Sequence, residues 1–119
     1  MLYHLKERAI EHAVIPWCEK HSVAVVAYSP FGHDDFPSAR SRGGEVLQTI
    51  SDAHKATPRQ IALAFLTRAP AVLAIPKASS AEHAADNAAA GKLSLSAAEI
   101  AALDKAFPRG PKPRGLPML

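Results

Sequence analysis

The side chains best suited to chemistry lie between Ala74 and Asn87, in the stretch AIPKASSAEHAADN. Lys77 stands where a short apolar run stops. Ser79 and Ser80 follow, and Glu82 lies three residues past Ser79, the spacing of a capping box. A helix opening there turns free backbone N–H groups and the positive end of its dipole back toward Lys77. An ammonium group, two hydroxyls and bare N–H groups on one spot can hold a phosphate. The same residues also read as an ordinary strand-to-helix turn with a solvated lysine, because short motifs match by chance.

Other chemistries find less support. The six histidines, His4, His12, His21, His33, His54 and His83, show no metal-ligand spacing. No nucleophile and base stand together. Cys18 is the single cysteine, so no disulfide framework exists and a reducing compartment is expected. Nothing near it in sequence would lower its pKa. It is read, with Trp17, as packing between a helix and a sheet.

The elements that must position Lys77 follow from apolar patterning. Val23 to Tyr28, VAVVAY, is apolar without alternation, as in a parallel strand covered on both faces. Pro30 and Gly32 stop it. Ala71 to Ile75 is a second such strand, and Leu2 to Leu5 reads as the tail of an earlier one. Ala9 to His21 carries a helical stripe, and Pro16 inside it predicts a late start or a kink. A polar loop runs from His33 to Gly43. Gly44 to Lys55 is a helix with Val46, Leu47, Ile50 and Ala53 on one face. Thr57-Pro58-Arg59-Gln60 opens another, with Thr as N-cap, Pro at the first helical position and Gln at the third, and it reaches Arg68. The alanine-rich helix after Ser80 is expected to lie close to the sheet and to end at Gly91. Ser96 to Glu99 is a further capping box, with Leu95 and Ile100 as a hydrophobic staple and an end near Phe107. Pro108 to Leu119 is a proline- and glycine-rich tail.

Composition bounds the rest. The 119 residues carry a net charge of +3 and are 48% hydrophobic and 21% charged, which suits one small globular domain. The positive charges are scattered and aromatics few, so no nucleic-acid surface emerges. No apolar run reaches membrane-span length and the N-terminus has no signal-peptide core, so a cytoplasmic protein is expected. Strands alternating with helices predict a parallel α/β architecture, either a doubly wound sheet or part of a (β/α)8 barrel. A whole barrel needs about 250 residues, so a barrel here would be a fragment.

Two segments carry a resemblance. YHLKERAIEHAVIPWCEKHSVAVVAYSPFG, then AIPKASSAEHAADNAAAGKLSLSAAEIAALD, is similar to the C-terminal part of an aldo-keto reductase. A YSP end to one strand, an IPK end to the next and an Asn ten residues after the Lys are specific in combination. The resemblance implies a partial (β/α)8 TIM barrel, roughly strands six to eight, over residues 1–107, with 108–119 as a tail. It implies NADPH as cofactor, with NADH as the alternative, and a small-molecule carbonyl substrate. By this resemblance Tyr28 matches the aromatic stacked on nicotinamide. Ser29, Phe31 and Gly32 match the turn against the pyrophosphate. Lys77 matches the lysine at the adenosine phosphate end, with Ser79 and Ser80 in the same loop. Asp86 and Asn87 match an acid–amide pair whose amide reads adenine. Ala78 stands where the family commonly has a hydroxyl and His83 where it commonly has an arginine. Histidine is largely neutral at pH 7, so a 2′-phosphate loses a permanent bidentate partner.

The family's proton-donating tyrosine and its lysine, aspartate and histidine helpers have no counterpart among these residues, and neither does its Asn-Gln pair. Three readings stand: a reductase whose N-terminal half lies elsewhere, a dinucleotide-binding module without catalysis, and an inert remnant. The three strands are expected side by side in chain order with helices on one face. The lone chain is expected to self-associate or to be marginally stable, and to reduce no carbonyl. Lys77 is expected at the mouth of a cleft that Tyr28, Ser29 and Asn87 also line.

Overall fold

The computed structural model describes residues 1–114. Strands β1 (Val25–Tyr28) and β2 (Val72–Ile75) pair in parallel, from Val25 opposite Val72 to Tyr28 opposite Ile75. The N-terminal residues lie along β1. The Tyr28 amide donates to the Met1 carbonyl at 2.9 Å, and the Met1 ammonium donates to the Val26 carbonyl at 2.9 Å. The expected strand at Leu2 to Leu5 is thus reduced to one parallel bridge, Leu2 to Tyr28. The chain then turns, because His4 and Glu7 exchange both backbone hydrogen bonds, at 3.1 and 3.0 Å. Chain order across the sheet is as the patterning predicts.

The sheet is covered on one face. Val25, Ala27 and Val72 are buried, while Val26, Leu73 and Ile75 are about half exposed, at 48%, 57% and 56%. The unbroken apolar runs had predicted cover on both faces; among the described residues only one face has it.

Helix α1 (Val14–Lys20) follows a 3-10 turn at Ala9–Glu11 and holds Pro16 in its first turn, the late start that proline permits. Cys18 is buried as expected, but Trp17 is 56% exposed. Its ring lies 4.3 Å from that of His21, one turn on, and not on the sheet. Helix α2 (Arg42–His54) starts earlier than expected, because the Ser41 hydroxyl accepts from the Gly44 amide. Leu47 and Ile50 face the core, but Ala53 is exposed. A Cβ on Gly43 would stand 2.3 Å from the Phe107 ring, so glycine there admits the close approach of the C-terminal segment. Helix α3 (Pro58–Leu66) opens with the complete Thr57–Gln60 capping box and closes two residues short of Arg68. It is the most buried helix, with Ile61, Phe65 and Leu66 essentially inaccessible.

Helix α4 (Ala81–Ala89) departs further. Its cap is Ser80, whose hydroxyl accepts from the His83 amide at 3.1 Å, and not a Ser79–Glu82 box. It packs on α3, no residue of it is buried, and Gly91 falls within a following 3-10 turn. Its alanines therefore serve helix propensity and not contact with the sheet. Helix α5 (Ala97–Ala106) has the predicted Ser96–Glu99 box, with Leu95 and Ile100 against the core. Residues 108–114 carry no helix or strand and are exposed; 115–119 of the expected tail lie outside the described residues.

A buried charge network ties the N-terminus to the helices. Arg8, 3% exposed, donates to Glu11 at 2.6 and 2.7 Å, to Asp104 at 2.8 Å and to the Phe107 carbonyl. Tyr3 donates to Glu11 at 2.7 Å, and Arg68 donates to Glu11 at 3.1 Å. The Arg8 and Arg68 guanidiniums lie 5.1 and 3.9 Å from the Phe65 ring centre. Burial, then the charge and hydrogen bond of Glu11, push the Tyr3 phenol well above its ordinary pKa, so it stays a neutral donor. Among the described residues no helix is long and apolar enough to cross a membrane.

Candidate functional site

Two adjoining cavities open where β1 and β2 end, one of about 520 Å³ and one of about 920 Å³. Phe31, Phe36, Arg59, Lys77 and His83 line both. Three chain segments build the rim: the turn after β1, the N-terminus of α3, and the passage from β2 into α4.

The turn after β1 is backbone-directed. Ser29 has φ 52° and Gly32 φ 79°, and the Gly32 amide donates to the Ser29 carbonyl at 2.9 Å. A Cβ on Gly32 would meet the Asp35 carboxylate at 2.0 Å, so glycine is needed twice, for the left-handed conformation and for the space. The same carboxylate accepts from the His33 amide at 2.8 Å, and Lys6 donates to the Asp35 carbonyl at 2.8 Å, pinning the turn from below. Phe31 and Phe36 meet edge to face, with centroids 5.8 Å apart.

On the opposite rim, the Ser80 hydroxyl caps α4 and His83 shares a 3.2 Å hydrogen bond with the Ser79 hydroxyl. Gln60 donates to the Asp86 carbonyl at 2.9 Å, clipping the start of α3 to α4. Lys77 is exposed between these walls. Among the described residues, neither Lys77 nor Arg59 has a carboxylate at ion-pair distance.

Lys77, Phe31 and His83 line both cavities; Ser29, Gly32 and Ser79 line the larger, and Asp86 and Asn87 the smaller. Lys77 shares one cavity with Ser29 and the other with Asn87, and the two cavities adjoin. Tyr28 and Ser80 line neither: Tyr28 is half-buried at the end of β1, bridged to Leu2, and Ser80 acts through its cap. Sequence reasoning missed Phe36 and Arg59. Arg59 was visible only as part of a helix start, and Phe36 as the one aromatic in a polar loop. The cleft offers two cations, a histidine, aromatic faces and a helix N-terminus, a set suited to a phosphorylated ligand with planar rings.

A parallel sheet whose polar turns gather at the carboxyl ends of the strands defines a β/α protein with its site in the usual place for that class. The model of the aldo/keto reductase family matches residues 1–107, and the chain belongs to that family. It is 40% identical over 112 residues to the methylglyoxal reductase YeaE of Escherichia coli (strain K12), covering 91% of this chain and 38% of that protein. Against pyridoxine 4-dehydrogenase of the same organism, identity is 36% over 103 residues, covering 86% of this chain and 34% of that one. An aldo-keto reductase from Klebsiella pneumoniae solved in complex with NADPH superposes with a TM-score of 0.84 at 39% identity, covering all of this chain and 42% of that one. The chain thus spans about two fifths of the length of these relatives.

Proposed function

We propose that residues 1–107 are the cofactor-binding part of a cytoplasmic, NADPH-dependent aldo-keto reductase that converts aldehydes or ketones to alcohols, with 108–119 as its tail. In this reading the segment at Leu2, β1 and β2 correspond to barrel strands six, seven and eight. The carrying observation is the cleft at the strand ends, which Lys77, Arg59 and His83 line in both of its cavities and Ser79 in the larger.

The cleft's residues fit a dinucleotide. Lys77 and the capped end of α4 hold phosphate through an ammonium and oriented N–H groups. The turn from Ser29 to Gly32 offers its backbone to the pyrophosphate. Asn87 supplies an amide for the adenine edge, beside Asp86. Stacking of nicotinamide on Tyr28 rests on the family resemblance. When bound, NADPH supplies the hydride. His83, joined to Ser79, is a weaker phosphate partner than an arginine, which leaves NADH as an alternative cofactor.

Phe31, Arg59, Lys77 and Asn87 of this chain line the cleft, and a second reading is a dinucleotide-binding module without catalysis. The 119 residues carry no counterpart of the family's proton donor and its helpers, so by themselves they are expected to bind NADPH and turn over no carbonyl. The open apolar face at Val26, Leu73 and Ile75 supports association, either with further barrel strands or with a second copy. Dinucleotide titration of the purified protein, followed by aldehyde-dependent loss of reduced-nicotinamide absorbance, tests the reading. Binding without turnover is the expected result. Absence of binding would overturn it, and turnover that follows the protein through purification would refute the inactivity.

A further inference from the structure

We infer that Arg59 is the cleft's permanent bidentate phosphate partner, a role that rests on the dinucleotide reading above. Arg59 is the second residue of α3, and its guanidinium lies 5.0 Å from the Phe31 ring centre and 4.5 Å from that of Phe36. Both rings and Arg59 line both cavities, together with Lys77 and His83. Two aromatic faces attract a guanidinium and hold its plane, which lowers the entropy cost of forming hydrogen bonds with it. The other arginines with aromatic contacts, Arg8 and Arg68, are also paired with Glu11; Arg59 has no carboxylate at ion-pair distance among the described residues. Asp86 and Asp34 line one cavity each without pairing with it. A cation ordered by its neighbours, open to a cavity and lacking an anionic partner is set to receive one. Lys77 can offer a compact point charge, whereas Arg59 offers a fixed planar fork of donors.

Phe31 and Phe36 are positioning residues in this arrangement. They touch the guanidinium and hold its plane toward the cavity. The Thr57–Gln60 capping box fixes the backbone that carries Arg59, with donor–acceptor distances of 3.0 and 3.2 Å.

The test titrates the purified protein and its Arg59→Met variant with NADPH and with NADH at several salt concentrations. Arg59 is exposed and its removal leaves the helix cap in place, so folding is expected to survive, as far-ultraviolet circular dichroism would check. Affinity should fall about tenfold or more, and the dependence on salt should flatten, because one screened charge contact is gone. A loss confined to NADPH assigns Arg59 to the 2′-phosphate; a loss with both cofactors assigns it to the pyrophosphate. Phe36→Leu should reproduce part of the loss and Phe36→Tyr should restore it. Unchanged affinity for both cofactors, or a loss with no change in salt dependence, would overturn the assignment while leaving the dinucleotide reading intact. If the unaltered protein binds neither cofactor, both fall.

Discussion

Two groups of charges occupy opposite situations in this molecule. Around Glu11, Arg8 is out of water and fully engaged: it has Glu11, Asp104 and the Phe107 carbonyl, and Glu11 also takes bonds from Tyr3 and Arg68. Around the cleft, Lys77 and Arg59 are exposed and have no carboxylate at ion-pair distance among the described residues. Both groups place cations near phenylalanine rings, so contact type alone does not separate them. The difference is whether the charge is already answered. A buried charge left without a partner would cost several kcal/mol, so the first group must close on itself to permit folding. An exposed charge carries no such demand and can stay available to a ligand. The Glu11 network is accordingly structural, and the cleft is the place to look for binding.

Breaking the buried network should have the largest effect. Glu11→Gln leaves buried Arg8 with Asp104 as its one remaining carboxylate, and a loss of about 3 kcal/mol is expected, a large fraction of the stability of an ordinary domain. Denaturant unfolding followed by circular dichroism measures it. Lys77→Met in the same assay should stay within about 0.5 kcal/mol of the unaltered protein. A comparable loss from both would erase the distinction between the two regions.

In a complete reductase barrel containing this chain, the ranking should reverse when cofactor affinity is read. Lys77→Met removes a charged hydrogen bond worth about 1.5–3 kcal/mol, or about tenfold to a hundredfold in affinity. The loss should be greater for NADPH than for NADH, since only NADPH has the extra phosphate. Equal losses would move Lys77 away from the 2′-phosphate, and none would return it to a solvated lysine.

Acid should attack the structural side. Burial by itself would raise the Glu11 carboxyl, but hydrogen bonds from Arg8 and Tyr3 and the charges of Arg8 and Arg68 together hold it below its ordinary range. Glu99 is held low by the Ser96 amide and by His54, whose ring nitrogen lies 2.8 Å away. A depressed carboxyl stabilises the fold above its unfolded pKa of about 4.3, and that stability is lost as pH falls through the lower folded value. Thermal midpoints should therefore drop below about pH 4. In Glu99→Gln the drop should be shallower; an unchanged acid limb would show that this pair contributes nothing.

The smallest effects belong to the helix starts. Ser80→Ala removes the hydroxyl that accepts from His83 and should cost about 1 kcal/mol, while Thr57→Ala should cost about as much and also free the backbone carrying Arg59. Only Thr57→Ala is expected to loosen cofactor binding through Arg59. His83→Arg should shift preference toward NADPH with little change in stability, since His83 is exposed.

Local chemistry wrote itself plainly in the sequence. Thr57-Pro58-Arg59-Gln60 and Ser96 to Glu99 specify their caps through side chains that reach only a few residues, so both boxes were legible. The places of the two strands and the late start at Pro16 were legible for the same reason, since an apolar run and a proline act within one element. The Lys77 stretch could be singled out because a lysine at a strand end precedes a helix start, whereas the turn from Ser29 to Gly32 was singled out by the family resemblance alone.

What needed the tertiary structure was every decision between distant parts. Whether Ser79 or Ser80 caps α4, and whether the alanines of α4 meet the sheet or α3, depends on how that helix is docked. Trp17 fitted an apolar stripe, yet its ring ends beside His21 and not against the sheet. An unbroken apolar run cannot say which of its faces is covered, so the exposure of Val26, Leu73 and Ile75 had to be seen. Above all, Arg59, Phe31 and Lys77 come from three separate segments, and no pattern along the chain brings them together. Their meeting is a property of packing: α3 is buried against the core, its capped end reaches the same end of the sheet where β1 and β2 finish, and Arg59 arrives there with it.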